Sequence, residues 1–172
     1  MKRDPSLIRL SRDHQRGLAL AKRIDDVLAG TDGVPIEQLE QETLDIWQDG
    51  LVPHFRAECE CLLARLARQL GADSDLIART QRDHVHAHAL VTSLREAADE
   101  SERRRHLGAL ASLLREHIRW EEATLFEATQ QHLEAAELSR LGEDLSLRLP
   151  EVPAAPPWYE ARNKEPGTRN KN

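Results

Sequence analysis

At 172 residues with a formal net charge of −6 at pH 7, the chain has the length of one domain and lacks the basic field that would hold nucleic acid or an anionic membrane. Charged residues make up 31% and aromatic residues 3%, with Leu, Ala, Glu and Arg prominent, which favours helices and predicts an all-α protein. No run approaches the roughly 20 apolar residues that cross a bilayer, and Met1-Lys2-Arg3-Asp4-Pro5 opens onto an amphipathic stretch, so a cytoplasmic location is expected.

In chain order, Asp4-Pro5 starts a first helix with Leu7, Leu10, Leu18, Ala21, Ile24 and Leu28 at helical spacing, running to about Gly30. Turn residues from Gly30 to Pro35 follow. A long second helix then carries Leu39, Leu44, Trp47, Leu51, Phe55, Leu62, Leu66 and Leu70 and closes at Gly71. Pro53 lacks a backbone donor, which predicts a kink or restart there. Asp73 or Ser74 caps a third helix with Leu76, Ile77, Val91, Leu94 and Ala98, ending near Asp99. A fourth begins near Ser101 with Leu107, Leu110, Leu114, Leu125 and Ala128, and a weaker segment from Glu134 to Leu149 predicts a short fifth helix ended by Pro150. Short connections imply an antiparallel up-down four-helix bundle over 1–149. The Pro-rich, polar remainder over 150–172 is expected to be an extended tail, whose Trp158-Tyr159 could pin it to the bundle or to a second subunit and so form a homodimer.

Each long helix carries ionisable residues where its apolar stripe should continue. These are His14 in the first helix, His54 and Glu58 in the second, His84 and His88 in the third, and His117 and Glu121 in the fourth. The paired positions are four apart and therefore share a face. An internal echo links the halves. Arg12-Asp13-His14 matches Arg82-Asp83-His84, and His54-Phe55-Arg56-Ala57-Glu58 matches His117-Ile118-Arg119-Trp120-Glu121. Approximate two-fold symmetry would bring the four faces together.

Burying even one unpaired charge costs several kcal/mol, so this set predicts cations between the side chains. Imidazole and carboxylate suit iron, manganese or zinc, and two carboxylates able to bridge point to a metal pair. If both metals are six-coordinate, the five histidines, two bridging carboxylates and one bridging oxo or hydroxo group leave one position open, in a place suited to dioxygen or another diatomic such as nitric oxide.

These motifs resemble the hemerythrin-like, or HHE cation-binding, family, over a span from about residue 7 to 132. The resemblance implies a non-haem di-iron centre in which His84, His88 and His117 bind one iron, His14 and His54 the other, and Glu58 and Glu121 bridge. It departs from the oxygen carriers on the fourth helix. They place an aspartate five residues after the histidine, whereas this chain has Glu121 at plus four and Glu122 at plus five. The plus-four spacing resembles the wider HHE branch, whose members serve sensing, iron handling and redox defence.

Leu18, Phe55, Trp120 and Leu125 sit within about a turn of the proposed ligands and are candidates for the wall of a dry pocket. His86, His106 and His132 read as surface residues, and Glu60 and Glu122 as solvated groups or as groups that orient a ligand. Cys59 and Cys61 diverge on their helix, which argues against a disulfide between them and fits a reducing compartment. Three functions are compatible with this reading: binding or sensing of dioxygen or nitric oxide, di-iron redox catalysis in peroxide, oxidative or nitrosative stress defence, and iron storage or iron-responsive binding.

Overall fold

The computed structural model describes residues 2–149, and every regular element among them is helical. Asp4 accepts from the Ser6 backbone at 2.9 Å and caps a single 3-10 turn, Pro5–Leu7. The chain continues directly into α1, Ile8–Leu28. Gly30, at φ +74°, supplies the left-handed residue that turns the chain out of it.

The predicted second helix is one rod of alternating character. It comprises α2 (Ile36–Ile46), a π-turn (Trp47–Leu51), α3 (Val52–Ala57), a second π-turn (Glu58–Leu63) and α4 (Ala64–Leu70). The restart expected at Pro53 takes this form. The π-turn, in which Val52 donates to the Trp47 carbonyl, ends just before proline, which occupies the first turn of α3 where a missing donor is tolerated.

After Gly71 comes α5, Asp75–Arg95, which stops a turn short of the expected Asp99. Ser74 occupies its cap position but its side chain makes no capping hydrogen bond. Asp99 instead caps α6, Glu100–Trp120, accepting from Glu102 N, while Glu102 accepts in return from Ala98 N. A third π-turn, Glu121–Leu125, leads into α7, Phe126–His132, and the predicted fifth helix is α8, Ala135–Arg148. The expected tail over 150–172, with Trp158-Tyr159, lies outside the described residues.

α1 and α5 both pack along α6, α2 packs against α1 and α6, and α8 lies on the Pro5–Leu7 turn and on the second π-turn. The α8 contact needs Gly142, because a Cβ there would sit 3.1 Å from Ser6 Cα and Cβ. Gly142→Val is therefore expected to lower stability by about 1–3 kcal/mol, read as a lower urea midpoint, through forced separation of α8 from the amino-terminal turn. An unchanged midpoint would contradict this packing.

The apolar core is divided in two. One cluster holds Leu20, Ile24, Trp47, Phe55, Val91 and Leu114, the other Leu10, Leu62, Leu66, Leu125, Phe126 and Leu145. Each fully buried leucine contributes roughly 1.5–3 kcal/mol. The long helical rods reach from one cluster to the other, and where each crosses, its inward position is taken by histidine or glutamate.

Candidate metal centre

The dividing layer consists of His14, His54, Glu58, His84, His117 and Glu121, none more than 5% exposed, with both glutamates at 0%. Helical periodicity places them. On α1 the inward stripe runs Leu10, His14, Gly17, Ala21, Ile24, and on α5 it runs Ile77, Thr80, His84, Ala87, Val91, Leu94. The two glutamates each stand at the first residue of a π-turn, at matching places in the two halves of the chain. A π-turn inserts one extra residue into the helix and re-aims the side chains that follow.

The ligand-type atoms face one another. Glu58 Oε1 lies 3.2 Å from His54 Nε2 and 3.8 Å from His14 Nε2, while its Oε2 lies 3.2 Å from His84 Nε2. Glu121 Oε2 lies 3.1 Å from His14 Nε2 and 3.3 Å from His117 Nε2. Two groups result, His14 with His54 and His84 with His117, each completed by the same pair Glu58 and Glu121. Within each group the ligand atoms lie within 4.8 Å of one another. Donors about 2.0–2.2 Å from a common ion and at right angles to each other are roughly 3 Å apart, so these separations suit a metal ion in each group.

All four Nε2 atoms and all four carboxylate oxygens of the layer are buried without a hydrogen-bond partner. Leaving one such group unsatisfied costs about 1–3 kcal/mol, more if it is charged. Eight of them converging on one place form a donor set shaped for cations.

The outer ring nitrogens are held in a second pattern. His14 Nδ1 donates to Glu122 Oε1 at 2.7 Å, and Glu122 is braced by Arg3 at 2.5 Å. His117 Nδ1 faces Asp83 Oδ2 at 3.4 Å, and His54 Nδ1 faces Asp13 Oδ2 at 3.6 Å, an ion-pair rather than a hydrogen-bond distance. His84 Nδ1 lies 3.6 Å from Cys59 Sγ. With each Nε2 directed at the carboxylates, the proton is assigned to Nδ1, which donates outward from His14, His84 and His117, while His54 Nδ1 only faces Asp13.

Burial opposes charge on His14, but the nearby carboxylates of Glu121, Glu122 and Glu58 outweigh that and hold its pKa well above the usual value. Burial likewise disfavours charged His54 and is overcome by Glu58 and Asp13, and at His84 it is overcome by Cys59 and Glu58, which lift that ring to about 10. On His117 burial wins and its pKa falls. Burial would raise the Glu58 carboxyl, but His54, His14 and His84 hold it well below the usual range. For Glu122 burial is again outweighed, by His14, Ser11 and Arg3, and its pKa drops to about 2.

His88 does not join this layer. It is exposed and packs edge-on against Trp47, with ring centroids 4.8 Å apart. α5 is regular through this region, so the inward place one turn after His84 falls to Ala87, three residues on, and the fourth residue rotates off the face.

The expected pocket wall is also revised. Phe55 stacks on His84 at 4.0 Å and meets His117 edge-on at 5.6 Å, and Leu125 is fully buried. Leu18 is only half-buried. The inward place belongs to Gly17, where a Cβ would lie 2.8 Å from Ile118 Cδ1. Trp120 is half-buried beneath the Arg79 guanidinium, 4.4 Å from its ring. Phe126, which sequence reasoning passed over, stacks on His14 at 5.2 Å and 7°.

The remaining polar candidates lie outward. Glu60 is exposed and pairs with Arg56 at 2.7 Å and with Arg148, His86 and His132 are exposed, and His106 is half-buried beside Arg105. Cys59 and Cys61 are both free thiols. Among the described residues no helix is long and apolar enough to cross a membrane.

Comparisons with curated proteins and with solved structures found no match. A family model for the hemerythrin HHE cation binding domain matches residues 6–129, a span that contains all six residues of the buried layer. With that match over most of its length, the chain belongs to the hemerythrin HHE cation-binding domain family.

Proposed function

We propose that this chain is a non-haem di-iron protein that binds or senses dioxygen or nitric oxide at its buried centre. His14 and His54 would hold one ion, His84 and His117 the other, and Glu58 and Glu121 would bridge. The observation that carries the reading is the convergence of eight buried, partnerless donor atoms into two groups that share both carboxylates. An up-down antiparallel four-helix arrangement belongs to the same reading. It is supported by the alternating order in which successive rods run between the two apolar clusters.

Two irons bound there would supply redox chemistry and positions open to a diatomic ligand; manganese or zinc could substitute in the same donor set. The protein's own part is to hold three of the rings from outside through Glu122, Asp83 and Cys59, with Asp13 facing the fourth, and to keep bulk water away with Phe55 and Phe126 stacked on His84 and His14.

With His88 exposed, four ring nitrogens rather than five face the carboxylates among the described residues. More positions are then left to exogenous ligands than a five-histidine set allows. This favours a second reading, oxidoreductase turnover of peroxide or a related oxidant. Metal analysis of anaerobically purified protein, with an absorption spectrum before and after air, separates the two. Two irons per chain and a charge-transfer band that vanishes on deoxygenation support reversible binding. Irreversible bleaching with steady peroxide consumption supports turnover. Protein without bound metal under metal-replete conditions overturns both.

A further inference from the structure

The internal echo extends one residue beyond each glutamate. Asp13, ahead of His14, faces His54, and its counterpart Asp83, ahead of His84, faces His117. The residue after Glu121 is Glu122, which reaches His14, and the residue after Glu58 is Cys59, which reaches His84. Three of the four outer contacts are thus carboxylates and the fourth is a thiol. The two aspartates are equivalent by position and place one carboxylate in each pocket, although Asp83 hydrogen-bonds His117 at 3.4 Å and is shared with Arg79 at 3.9 Å, whereas Asp13 only faces His54, at 3.6 Å. Phe126 stacks on His14 and Phe55 on His84, with Phe55 also meeting His117 edge-on, and both are hydrocarbon rings that do not distinguish the pockets by polarity. Thr80, the polar counterpart of Leu10, turns its hydroxyl to the Leu76 carbonyl at 2.9 Å and away from the ring.

The largest chemical difference between the pockets is Glu122 against Cys59, a carboxylate at 2.7 Å against a thiol at 3.6 Å. An imidazole donating its outer N–H to a carboxylate is a stronger metal donor through its other nitrogen, whereas sulfur is a weak acceptor. The distances agree in direction, 2.7 Å for His14 to Glu122 and 3.6 Å for His84 to Cys59. Arg3 fixes the Glu122 carboxylate through Oε2 and bonds the Glu122 carbonyl at 2.7 Å, so Oε1 stays directed at the ring.

We infer that Glu122 and Cys59 act as unlike positioning residues that make the two metal positions unequal, so that the His14 and His54 pocket loads first and more tightly than the His84 and His117 pocket. This rests on the di-metal reading above.

The test is titration of the full metal-free chain with Co2+, followed by calorimetry and by the visible ligand-field bands. Two steps are expected, separated by roughly 10–100-fold in affinity, the range over which partners of metal-bound histidines act. Glu122→Gln should weaken the first step by a similar factor. Cys59→Glu, which restores the matching carboxylate, should tighten the second step and narrow the gap, and Cys59→Ser should leave the gap in place. Loaded with 57Fe, the native protein should show two Mössbauer doublets that converge in Cys59→Glu. Both positions are partly exposed, so the variants should fold, with helical content checked by circular dichroism. Two equal steps in the native protein, or a gap indifferent to both Glu122→Gln and Cys59→Glu, would overturn the inference while leaving the di-metal reading intact. Fewer than two ions bound per chain would overturn both.

Discussion

Loading the metal-free protein with Fe2+ or Co2+ is expected to raise its melting temperature by roughly 15–30 °C. The figure follows from linkage. An ion present at about a thousand times its dissociation constant adds roughly 4 kcal/mol per site, and in a chain of this size each kcal/mol moves the midpoint by about 2–4 °C. The large effect has a local cause. Without a cation, the four Nε2 atoms and four carboxylate oxygens of the central layer have no hydrogen-bond partners, and that layer interrupts the apolar core between its two clusters. Glu58 is the test position, because it alone faces His14, His54 and His84. Glu58→Gln preserves the shape of the side chain and should remove most of the metal-induced shift. Scanning calorimetry with and without metal, with reversal by a chelator, measures it. A shift of only a few degrees in the native protein would mean that cations do not relieve the layer.

The four long helical rods and six members of the layer were legible in the sequence because each breaks an apolar stripe at a helical interval, and one buried charge without a partner is costly enough to demand an explanation. His88 was not separable from His84 by spacing alone. A spacing of four and a spacing of three both return near the same face, and only the choice of Ala87 over His88 as the inward residue decides it. The run Ile77, His84, Val91, with its interval of seven, carried a signal for Ala87, since the residue three after each inward position also faces the core. The same signal places Gly17 rather than Leu18 below His14. The π-turns left no composition signature, and they govern where Glu58 and Glu121 point. The echo between the two halves was visible, but the roles of Asp13, Asp83 and Cys59 were not. Each contacts a histidine on a different helix, and such pairings become apparent only once the helices are assembled.

Metal loading should also release protons, and the apparent affinity should climb steeply with pH. In the metal-free centre the carboxylates hold His14 and His54 above the ordinary histidine pKa and His84 at about 10, whereas burial leaves His117 below it. His14, His54 and His84 therefore hold a proton more tightly than a free imidazole does, each facing Glu58 or Glu121. A histidine whose pKa is raised by folding adds stability that is complete below about pH 6.5 and is lost as pH rises through the folded value, near 10 for His84. Glu58, depressed by the same rings, adds stability that is present above about pH 4.5 and lost in acid. The metal-free protein should thus be most stable between these limits and weaken from pH 6.5 toward 10. Metal ligation needs neutral imidazole, so cations compete with the protons on His14, His54 and His84, and each proton displaced contributes about tenfold in apparent affinity per pH unit. The stability gap between metal-bound and metal-free protein should widen from pH 6 to pH 9. Calorimetric titration at pH 7.5 in two buffers of different ionisation enthalpy counts the protons, with at least the His84 proton expected to leave on loading. Loading without proton release would mean that the rings are already neutral, and that His14, His54 and His84 are not paired with carboxylates in the metal-free state.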